Sequence, residues 1–350
     1  MMTEINDLKP ILEKLASGQA LSVEEAKSAF ETILSGHASE GQIGAFLMAM
    51  RCRGETLEEI YAGATVMRAF ATRVTAPLNA IDTCGTGGDQ SGSFNISTAV
   101  ALIVAACGVP VAKHGNRALS SKSGSSQVLE TLGVRLDLTP PQIEDCLAQN
   151  HIGFLFAPNH HAAMRHVGKV RQELGTRTIF NLLGPLTNPA GAKRQLLGVF
   201  AEEWLEPIAN TLKRLGSEAA WVVHGSDGMD EITTTGISSV AVLKDDQVTT
   251  MKIHPSDYGI ALSSAEALAG GTPEDNAQAL ARLLDGETGA YRDIVLLNSA
   301  AALVIAEDVD NLDQGIKRAA SAIDSGAARK TLQNLVTLSQ NHAKENEKKA

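Results

Sequence analysis

The sequence predicts an α/β protein with a small all-helical N-terminal domain and a larger α/β domain with a central, largely parallel sheet. Helix-capping patterns fill the first seventy or so residues, and from Ala80 short apolar strands alternate with helices. The 350-residue chain is 44% apolar but only 4% aromatic and has 31 Gly, which indicates a core of closely packed aliphatic side chains. We place the helical domain at 1–75, with added helices from about 160–185, and the α/β domain at 76–350.

The N-terminal helices are predicted from capping boxes, in which a Ser or Thr is followed three residues later by Glu or Gln. These boxes pair Ser22 with Glu25, Ser39 with Gln42, and Thr56 with Glu59. Apolar residues follow at helical spacing, and Gly18, Gly36 and Gly54 supply the stops.

The α/β part is predicted from apolar runs bounded by turn residues. Strands are expected near Ile81 and at 109–113, 152–157, 196–200 and 219–224, with a hairpin at 238–253. Helices are expected at 96–107, through 128–132, across 160–174 and across 291–306, and another begins with Thr272 as its cap and Pro273 as its first residue. We expect the charged tail from Asn341 to fray.

The charge balance excludes broad classes of partner. The formal net charge is -10, which argues against a general nucleic-acid or anionic-membrane surface. The stretch from 90 to 112 has no charged residue, but its Asn, Ser, Thr and Pro residues favour a buried helix and strand over a membrane span. The four cysteines show no CxxC spacing and no signal peptide precedes them, so we expect a cytoplasmic protein.

The segment DTCGTGGD, residues 82–89, follows a predicted strand and precedes a helix. Gly85, Gly87 and Gly88 allow the backbone to take up positive φ and direct successive N–H groups toward an anion. The spacing fits neither a Rossmann fingerprint nor a Walker loop. From the residues alone, a phosphate-binding loop and a structural tight turn both remain open.

The segment KHGNRALSSKSGS, residues 113–125, follows the next strand and combines three basic residues with five Ser or Asn side chains. Open α/β sheets bind ligands at the carboxyl ends of their strands, where this segment is expected. A solvated loop is the alternative. The two loops together favour a polyphosphorylated substrate, because such a ligand needs donors on several sides.

The helix predicted around HVGKVRQELG places Arg171 beside an apolar stripe of Val167, Val170 and Leu174. An arginine that faces the interior needs a carboxylate. The partner is either a substrate carboxylate or an internal acid.

The segment HGSDGMDEIT, residues 224–233, offers Asp230 and Glu231 as hard oxygen ligands, with Asp227 nearby. This suits a magnesium ion that substrate phosphates also hold. Acidic loop residues are otherwise simply solvated. His114, His161 and His224 match no nucleophile–base motif, so we expect them to pack or to line a substrate site, and we predict no strong general base.

Taken in order, the motifs GTGGD with FNIST, KHGNRA, VRQELGTRTIFNLLGPLTNPA and VVHGSDGMDEIT resemble those of the anthranilate phosphoribosyltransferases. The resemblance covers nearly the whole chain. It implies transfer of 5-phosphoribose from PRPP to the anthranilate amine, with release of pyrophosphate, to give N-(5-phosphoribosyl)anthranilate in tryptophan biosynthesis. It also implies two magnesium ions per subunit, an active site between the two domains, and a homodimer formed through the helical domain.

The resemblance also implies which residues bind each ligand. Expected PRPP contacts are Gly85, Gly88, Asp89, Ser93, Asn95, Ile96, Ser97, Thr98, Lys113, His114, Gly115, Asn116, Arg117, Ala118, Leu119, Ser120, Ser121 and Ser125. Expected anthranilate contacts are Gly85, Asn116, Pro158, His161, Met164 and Arg171. The expected metal ligands are Ser97, Asp230 and Glu231.

Three positions depart from the family pattern: Gln90 stands where Gly is common, Ser93 where Thr is common, and Gln127 where Asp is common. We expect Gln90 to stiffen the PRPP loop. Two other functions share this type of fold. A pyrimidine nucleoside phosphorylase would bind a nucleoside and free phosphate, and a nucleic-acid-binding relative would need a basic groove.

Overall fold

A computed structural model describes residues 7–89, 91–117 and 122–349. None of the helices in these ranges is both long enough and apolar enough to cross a membrane. The expectation of a buried helix and strand between 90 and 112 is confirmed, because helix α5 (Ile96–Ala106) and strand β2 (Val111–Gly115) occupy this stretch and are almost wholly buried.

Four helices precede the sheet: α1 Lys9–Ala16, α2 Val23–Leu34, α3 Glu40–Arg53 and α4 Leu57–Phe70. All three predicted capping boxes are present, and in each the Ser or Thr side chain and the Glu or Gln side chain satisfy opposite backbone N–H groups. The box at α4 also anchors the bundle, since the buried Glu59 accepts hydrogen bonds from the backbone of Leu21 and pairs with Arg53. A local capping signal therefore also fixes a tertiary contact.

The remaining chain alternates strands with helices around one seven-stranded sheet. The strands are β1 Ile81–Gly85, β2, β3 Ile152–Phe156, β4 Arg194–Gly198, β5 Ala219–Gly225, β6 Ser238–Lys244 and β7 Gln247–Ile253. The helices after α5 are α6 Ser125–Thr131, α7 Pro140–Asn150, α8 Ala157–His160, α9 Arg165–Leu174, α10 Ile179–Leu183, α11 Leu205–Arg214, α12 Pro273–Leu284, α13 Ala290–Ile305, α14 Leu312–Asp324 and α15 Ala327–Lys349.

The strand order is β3-β2-β1-β4-β5-β6-β7, with β3 to β5 parallel and the β6–β7 hairpin antiparallel. This confirms the largely parallel sheet and the hairpin at 238–253. The chain winds from β1 toward β3 and then returns to place β4 on the other side of β1. Such a reversal opens a crevice beyond the carboxyl ends of β1 and β4, where α/β proteins bind ligands.

Both faces of the sheet are buried, as parallel strands require. Leu196 of β4 belongs to a core shared with α5, α13 and α15, whereas its neighbour Leu197 belongs to a core shared with α2, α3, α4 and α11. Helices α9 and α10 contribute Val167, Val170 and Phe180 to the second core. The N-terminal bundle and one face of the sheet are therefore packed as a single apolar layer, which holds α9 and α10 over the strand ends.

Two expectations about helices are wrong. The helix expected across 160–174 is broken, because His161 has φ -116 and ψ 58, and α9 begins only at Arg165 after a 3₁₀ turn. The charged tail from Asn341 does not fray, since α15 runs to Lys349. Its last turns pack against α7, where Gln142 exchanges hydrogen bonds with Asn346 and Asp145 contacts His342 at 2.8 Å. These polar contacts lie about two hundred residues apart in sequence, so the local composition gave no signal for them.

Candidate active site

A cavity of about 790 Å³ lies at the carboxyl ends of β1 and β2 and reaches to α9 and α10. Most of the residues expected to bind PRPP, anthranilate or metal line this one space. They are Gly85, Gly88, Asp89, Ser93, Asn95, Ile96, Ser97, Lys113, His114, Gly115, Asn116, Arg117, Ser125, Pro158, His161, Met164, Arg171, Asp230 and Glu231. The structure thus brings together residues from four separate sequence segments.

The glycine-rich loop after β1 has the backbone shape that the sequence predicts. Gly87 and Gly88 both have positive φ, at 63° and 74°. A Cβ at Gly85 would overlap the Asp230 carboxylate, and the Gly87 N–H donates to Asp230 Oδ2 at 2.8 Å. The loop therefore needs glycine for its dihedral angles and for its close approach to the acidic segment.

Lys113 lies near the end of β2, ahead of the loop that follows this strand, and the residue is 2% exposed. Its Nζ donates to the Thr83 carbonyl and, at 3.3 Å, to Ser97 Oγ. Burial lowers the pKa of Lys113, while the nearby Asp82 opposes that shift. Because Ser97 lies in the first turn of helix α5, the Lys113 side chain connects the ends of β1 and β2 to the start of this helix.

Asp230 and Glu231 are half-buried at the edge of the cavity. Burial, with the neighbouring Asp89 as a second cause, raises the pKa of Asp230 to about 7. Burial and the adjacent Asp230 raise the pKa of Glu231 well above its ordinary value. Glu231 Oε1 accepts from the Ser97 N–H at 3.1 Å, so the acid pair faces the start of α5.

This acid pair fits magnesium better than zinc. Its donors are hard carboxylate oxygens beside the Ser97 hydroxyl, and in the described part of the chain no group of three or more His, Cys, Asp or Glu side chains forms a metal cluster. Magnesium is usually held by one or two carboxylates together with substrate phosphates and water. The raised carboxyl pKa values also indicate that the pair needs a cation to stay ionised.

Asp227, three residues earlier, does not belong to this pair. Its carboxylate accepts hydrogen bonds from the Thr233 and Thr235 hydroxyl groups at 2.7 and 2.8 Å and from the Met229 N–H at 3.1 Å. These bonds close the turn that follows β5. Asp227 is therefore a structural residue that shapes the segment carrying the acid pair.

Arg171 lies on the last turn of α9 and lines the part of the cavity that α9 and α10 form. Its Nη2 donates to Asn181 Oδ1 at 3.4 Å, and the guanidinium lies 5.6 Å from the centre of the Phe180 ring. Among the described residues no carboxylate is within ion-pairing distance of Arg171, and burial alone lowers its pKa. The alternative of an internal acid partner is therefore wrong, and the guanidinium is left available to an anionic ligand.

Two histidines, His114 and His161, also line the cavity. The rings of His114 and His161 have centres 5.3 Å apart, and the Nε2 atoms of both have no hydrogen-bond partner in the described structure. Burial lowers the pKa of His161 to about 4, and burial also lowers the pKa of His114 well below its ordinary value. Both imidazoles are neutral at pH 7, and with Pro158 and Met164 they give this side a largely apolar surface.

Comparison with known proteins identifies the family. Family models described as "Glycosyl transferase family, helical bundle domain" and "Glycosyl transferase family, a/b domain" match residues 9–71 and 78–329. The anthranilate phosphoribosyltransferase of Parvibaculum lavamentivorans is 60% identical over 332 residues, which cover 95% of this chain and 97% of that protein. The enzyme of Azospirillum brasilense is 60% identical over 335 residues, which cover 96% of this chain and 94% of that protein.

The chain belongs to the anthranilate phosphoribosyltransferase family. Solved structures agree: the Thermus thermophilus enzyme has a TM-score of 0.89 at 42% identity, and the alignment covers 94% of this chain and 99% of that one. The Saccharomyces cerevisiae enzyme in complex with PRPP and magnesium has a TM-score of 0.88 at 28% identity, with 95% and 98% covered. These relatives favour the transferase over the phosphorylase and the nucleic-acid-binding alternative.

Some residues expected from the family resemblance do not line the cavity. Thr98 is 1% exposed, and its N–H donates to the Asn95 carbonyl because it lies in the first turn of α5 and points into the core. The run Ala118, Leu119, Ser120 and Ser121, as well as Gln90, lies outside the described residues.

The two remaining departures from the family pattern have local roles. Ser93 forms an isolated bridge with Ala269, and its hydroxyl accepts from the Ser91 hydroxyl at 3.1 Å. Gln127 Oε1 accepts from the Gly124 N–H at 3.0 Å and so completes the cap of α6. An Asp at this position has the same kind of acceptor, so this departure keeps the cap.

Sequence reasoning missed several residues in or beside the cavity, two of which come from distant segments. Asn276 of α12 lines the cavity and donates to Asn95 Oδ1 at 2.8 Å, and Tyr291 of α13 stacks on Phe94 with ring centres 4.4 Å apart. Asn181 follows Arg171 by ten residues and accepts its hydrogen bond. Only Asn181 had a signal in the sequence, since it lies within the TRTIFN motif.

Proposed function

We propose that this chain carries out its family's reaction in the central cavity, with PRPP on the acidic and glycine-rich side and anthranilate on the arginine side. The chain is a pentosyltransferase by family membership. One observation carries the residue assignment: a single cavity has two charge centres of opposite sign, the Asp230–Glu231 pair and Arg171, neither with a full complement of partners. Magnesium-bound pyrophosphate and the anthranilate carboxylate would compensate them.

The PRPP side consists of the two loops after β1 and β2 and the start of α5. The backbone N–H groups of the glycine-rich loop and the side chains of Lys113, Asn116, Arg117 and Ser125 supply phosphate donors. The first turn of α5 adds the favourable end of a helix dipole near Asn95 and Ser97. These donors stabilise the charge that accumulates on pyrophosphate as it leaves.

Ser97, Asp230 and Glu231 are the proposed magnesium ligands, with two ions per subunit. When bound there, magnesium supplies positive charge to the pyrophosphate oxygens. The protein's part is to hold its oxygen donors in place: the Gly87 and Ser97 N–H groups each donate to one carboxylate, and Lys113 donates to the Ser97 hydroxyl. Metal binding at this site would therefore depend on the conformations of the glycine-rich loop and of the start of α5.

The anthranilate side holds an aromatic acid. Arg171 pairs with its carboxylate, and Pro158, His161 and Met164 pack against its ring, while Gly85 and Asn116 lie between the two substrates. An aryl amine is neutral at pH 7 and attacks the anomeric carbon as the C–O bond to pyrophosphate breaks; the protonated nitrogen then loses its extra proton to water or pyrophosphate, so no strong general base is required. Alignment of the amine with the anomeric carbon is the main contribution of this side.

We further propose the assembly that the family resemblance implies. The helical domain, at 1–75 with added helices from about 160–185, forms a homodimer interface, and the domain at 76–350 carries the phosphoribosyl site. The protein acts in the cytoplasm. Sedimentation measures the assembly, and a monomer at micromolar concentration contradicts it.

The direct test of the function is incubation of the purified protein with PRPP, magnesium and anthranilate. We expect loss of anthranilate fluorescence together with an equal amount of pyrophosphate. A parallel incubation with thymidine or uridine and phosphate tests the phosphorylase alternative. Phosphorolysis without anthranilate turnover would overturn the proposal.

A further inference from the structure

Arg177 connects the two sides of the cavity without lining it. It lies in the turn between α9, which carries Arg171, and α10, which carries Asn181. Its Nη1 donates to the Gly88 carbonyl at 3.1 Å, and its guanidinium lies 4.3 Å from the centre of the Phe200 ring. An arginine from the helical layer therefore binds directly to the backbone of the glycine-rich loop.

The segment that carries Arg177 is also connected to Arg171 through Asn181. The backbone N–H of Thr178, the next residue, donates to Asn181 Oδ1 at 3.1 Å, and the same oxygen accepts from Arg171 Nη2 at 3.4 Å. Gly88 also lies close to this group, because a Cβ built on it would be 3.3 Å from Arg177 Cδ and 4.0 Å from Asn181 Nδ2. The turn at Gly88 and the guanidinium of Arg171 are thus separated by one short chain of contacts.

On its other flank the glycine-rich loop is tied to the acid pair. The Gly87 N–H donates to Asp230 Oδ2 at 2.8 Å, and the Thr86 hydroxyl accepts from the N–H of Phe200, the ring on which Arg177 stacks. Two successive glycines with positive φ form a turn that has little stiffness of its own. Its position is therefore set by the groups that hold it from outside, and among the described residues Arg177 contributes a hydrogen bond to it from the helical layer.

We propose that Arg177 is a positioning residue that holds the glycine-rich loop in register with the anthranilate side, so that a phosphate ligand on the loop strengthens the binding of anthranilate. This inference rests on the proposed function, since it takes the loop as the phosphate site and Arg171 as the carboxylate site. A ligand that orders Gly87 and Gly88 also fixes Arg177 and, through Thr178 and Asn181, the guanidinium of Arg171. Anthranilate then has fewer groups to order when it binds. By thermodynamic linkage, bound anthranilate strengthens phosphate binding by the same factor.

A purely structural arginine offers the matched control. Arg214 of α11 lies 4.1 Å from the centre of the Tyr61 ring, much as Arg177 lies over Phe200, and it contacts Glu58 at 3.7 Å. Arg214 neither lines the cavity nor contacts a residue of the glycine-rich loop in the described structure. Arg177→Met and Arg214→Met each keep an aliphatic side chain and remove the guanidinium.

The experiment measures anthranilate binding by fluorescence with and without magnesium pyrophosphate, which fills the phosphate site but has no ribose to transfer. In the wild-type protein we expect pyrophosphate to tighten anthranilate binding by about 5- to 150-fold, the usual range of coupling between two sites. In Arg177→Met this factor falls to about one, while anthranilate binding without pyrophosphate stays as in the wild type. Arg214→Met keeps the wild-type factor.

Three results would overturn the inference: no coupling in the wild type, full coupling in Arg177→Met, or equal loss of coupling in both variants. If Arg177→Met does not fold, Arg177→Lys replaces it, because a lysine keeps the charge but loses the planar stacking group and must lower the coupling factor. Failure of the proposed function looks different, since the wild-type protein would then not consume anthranilate with PRPP at all.

Discussion

The two sides of the cavity differ in the chemical groups that they present to a ligand. The phosphate half, made of the glycine-rich loop and the Asp230–Glu231 pair, relies on backbone N–H groups and on carboxylates whose pKa values are raised by burial and by neighbouring acids. The arginine half, made of Arg171, His161 and Met164, has one guanidinium with no carboxylate partner among the described residues, beside a neutral histidine.

The two halves differ in the charges that remain uncompensated when no ligand is bound. The phosphate half holds two acids that repel each other, so it gains both a cation and an anion when it is filled. The arginine half lacks only one carboxylate. We therefore expect the phosphate half to be sensitive to backbone shape and metal, and the arginine half to depend on a single charge.

The largest effect is expected from Gly88→Val in the phosphate half. The φ of Gly88 is 74°, and a β-branched residue there costs about 1–3 kcal/mol and also crowds Arg177, whose Cδ would lie 3.3 Å from the added Cβ. We expect PRPP affinity, measured by calorimetry, to fall about 100-fold or more while the fold persists, since lost charge-assisted hydrogen bonds add about 1.5–3 kcal/mol.

Gly18→Val is the matched control for that change. Gly18 has a φ of 77° at the end of α1 and open space around it, away from the cavity. This variant should lose stability but keep PRPP affinity. Normal PRPP binding by Gly88→Val would mean that the glycine-rich loop is only a turn.

In the arginine half, Arg171→Ala should raise the KM for anthranilate about 10- to 150-fold, because it removes a charge-assisted contact of about 1.5–3 kcal/mol. The KM for PRPP should change little. Steady-state kinetics with each substrate varied in turn measures both. Arg171→Lys keeps the positive charge but loses the planar guanidinium. Its KM for anthranilate should therefore lie between the values of the wild type and Arg171→Ala. An unchanged anthranilate KM would remove Arg171 from the site.

Replacement of the acid pair by Asp230→Asn with Glu231→Gln keeps the volume and removes both charges. We expect the magnesium concentration for half-maximal rate to rise by roughly tenfold, in line with loss of about 1.5 kcal/mol or more, and the activity to fall. Circular dichroism should show an intact fold.

Asp227→Asn is the control for this pair, since the Asp227 carboxylate closes a turn with Thr233 and Thr235 instead of facing the cavity. Its effect should fall on thermal stability and not on the magnesium requirement. Wild-type magnesium dependence in the double variant would show that Asp230 and Glu231 are ordinary loop acids.

The last effect acts on stability and not on ligand binding, and it concerns pH and the neutral histidine of the arginine half. Burial lowers the pKa of His161 to about 4, below the value near 6.5 expected in the unfolded chain. The unfolded state therefore binds the proton first, so stability is complete above about pH 6.5 and is lost as pH falls toward 4, by up to about 2–3 kcal/mol.

His161→Gln should remove this part of the acid sensitivity, while replacement of the exposed His37 by Gln should not. Thermal unfolding of the three proteins between pH 7 and 4 measures the difference. If His161→Gln and the wild type lose stability in parallel, His161 is not buried as a neutral group.

The local elements of the fold could be predicted from the sequence because their signals lie within a few residues of each other. The capping boxes at Ser22, Ser39 and Thr56 specify helix starts through bonds three residues apart, and the apolar run at 152–157 forms β3. The motif carrying Asp230 likewise follows its strand directly. Such patterns predict which residues lie at the carboxyl ends of strands. In a parallel sheet these ends lie at the same edge, so the residues come close together there.

Only the tertiary structure decided which of these groups have partners. The Gly87–Asp230 bond spans 143 residues, the Arg177–Gly88 bond spans 89, and the Asn276–Asn95 bond spans 181. The absence of an acid beside Arg171 in the described structure, and the packing of α15 against α7, depend in the same way on remote segments. Sequence periodicity reports which face of an element is buried, but the charge and hydrogen-bond balance of a buried group depends on every segment packed around it, and that arrangement exists only in the folded chain.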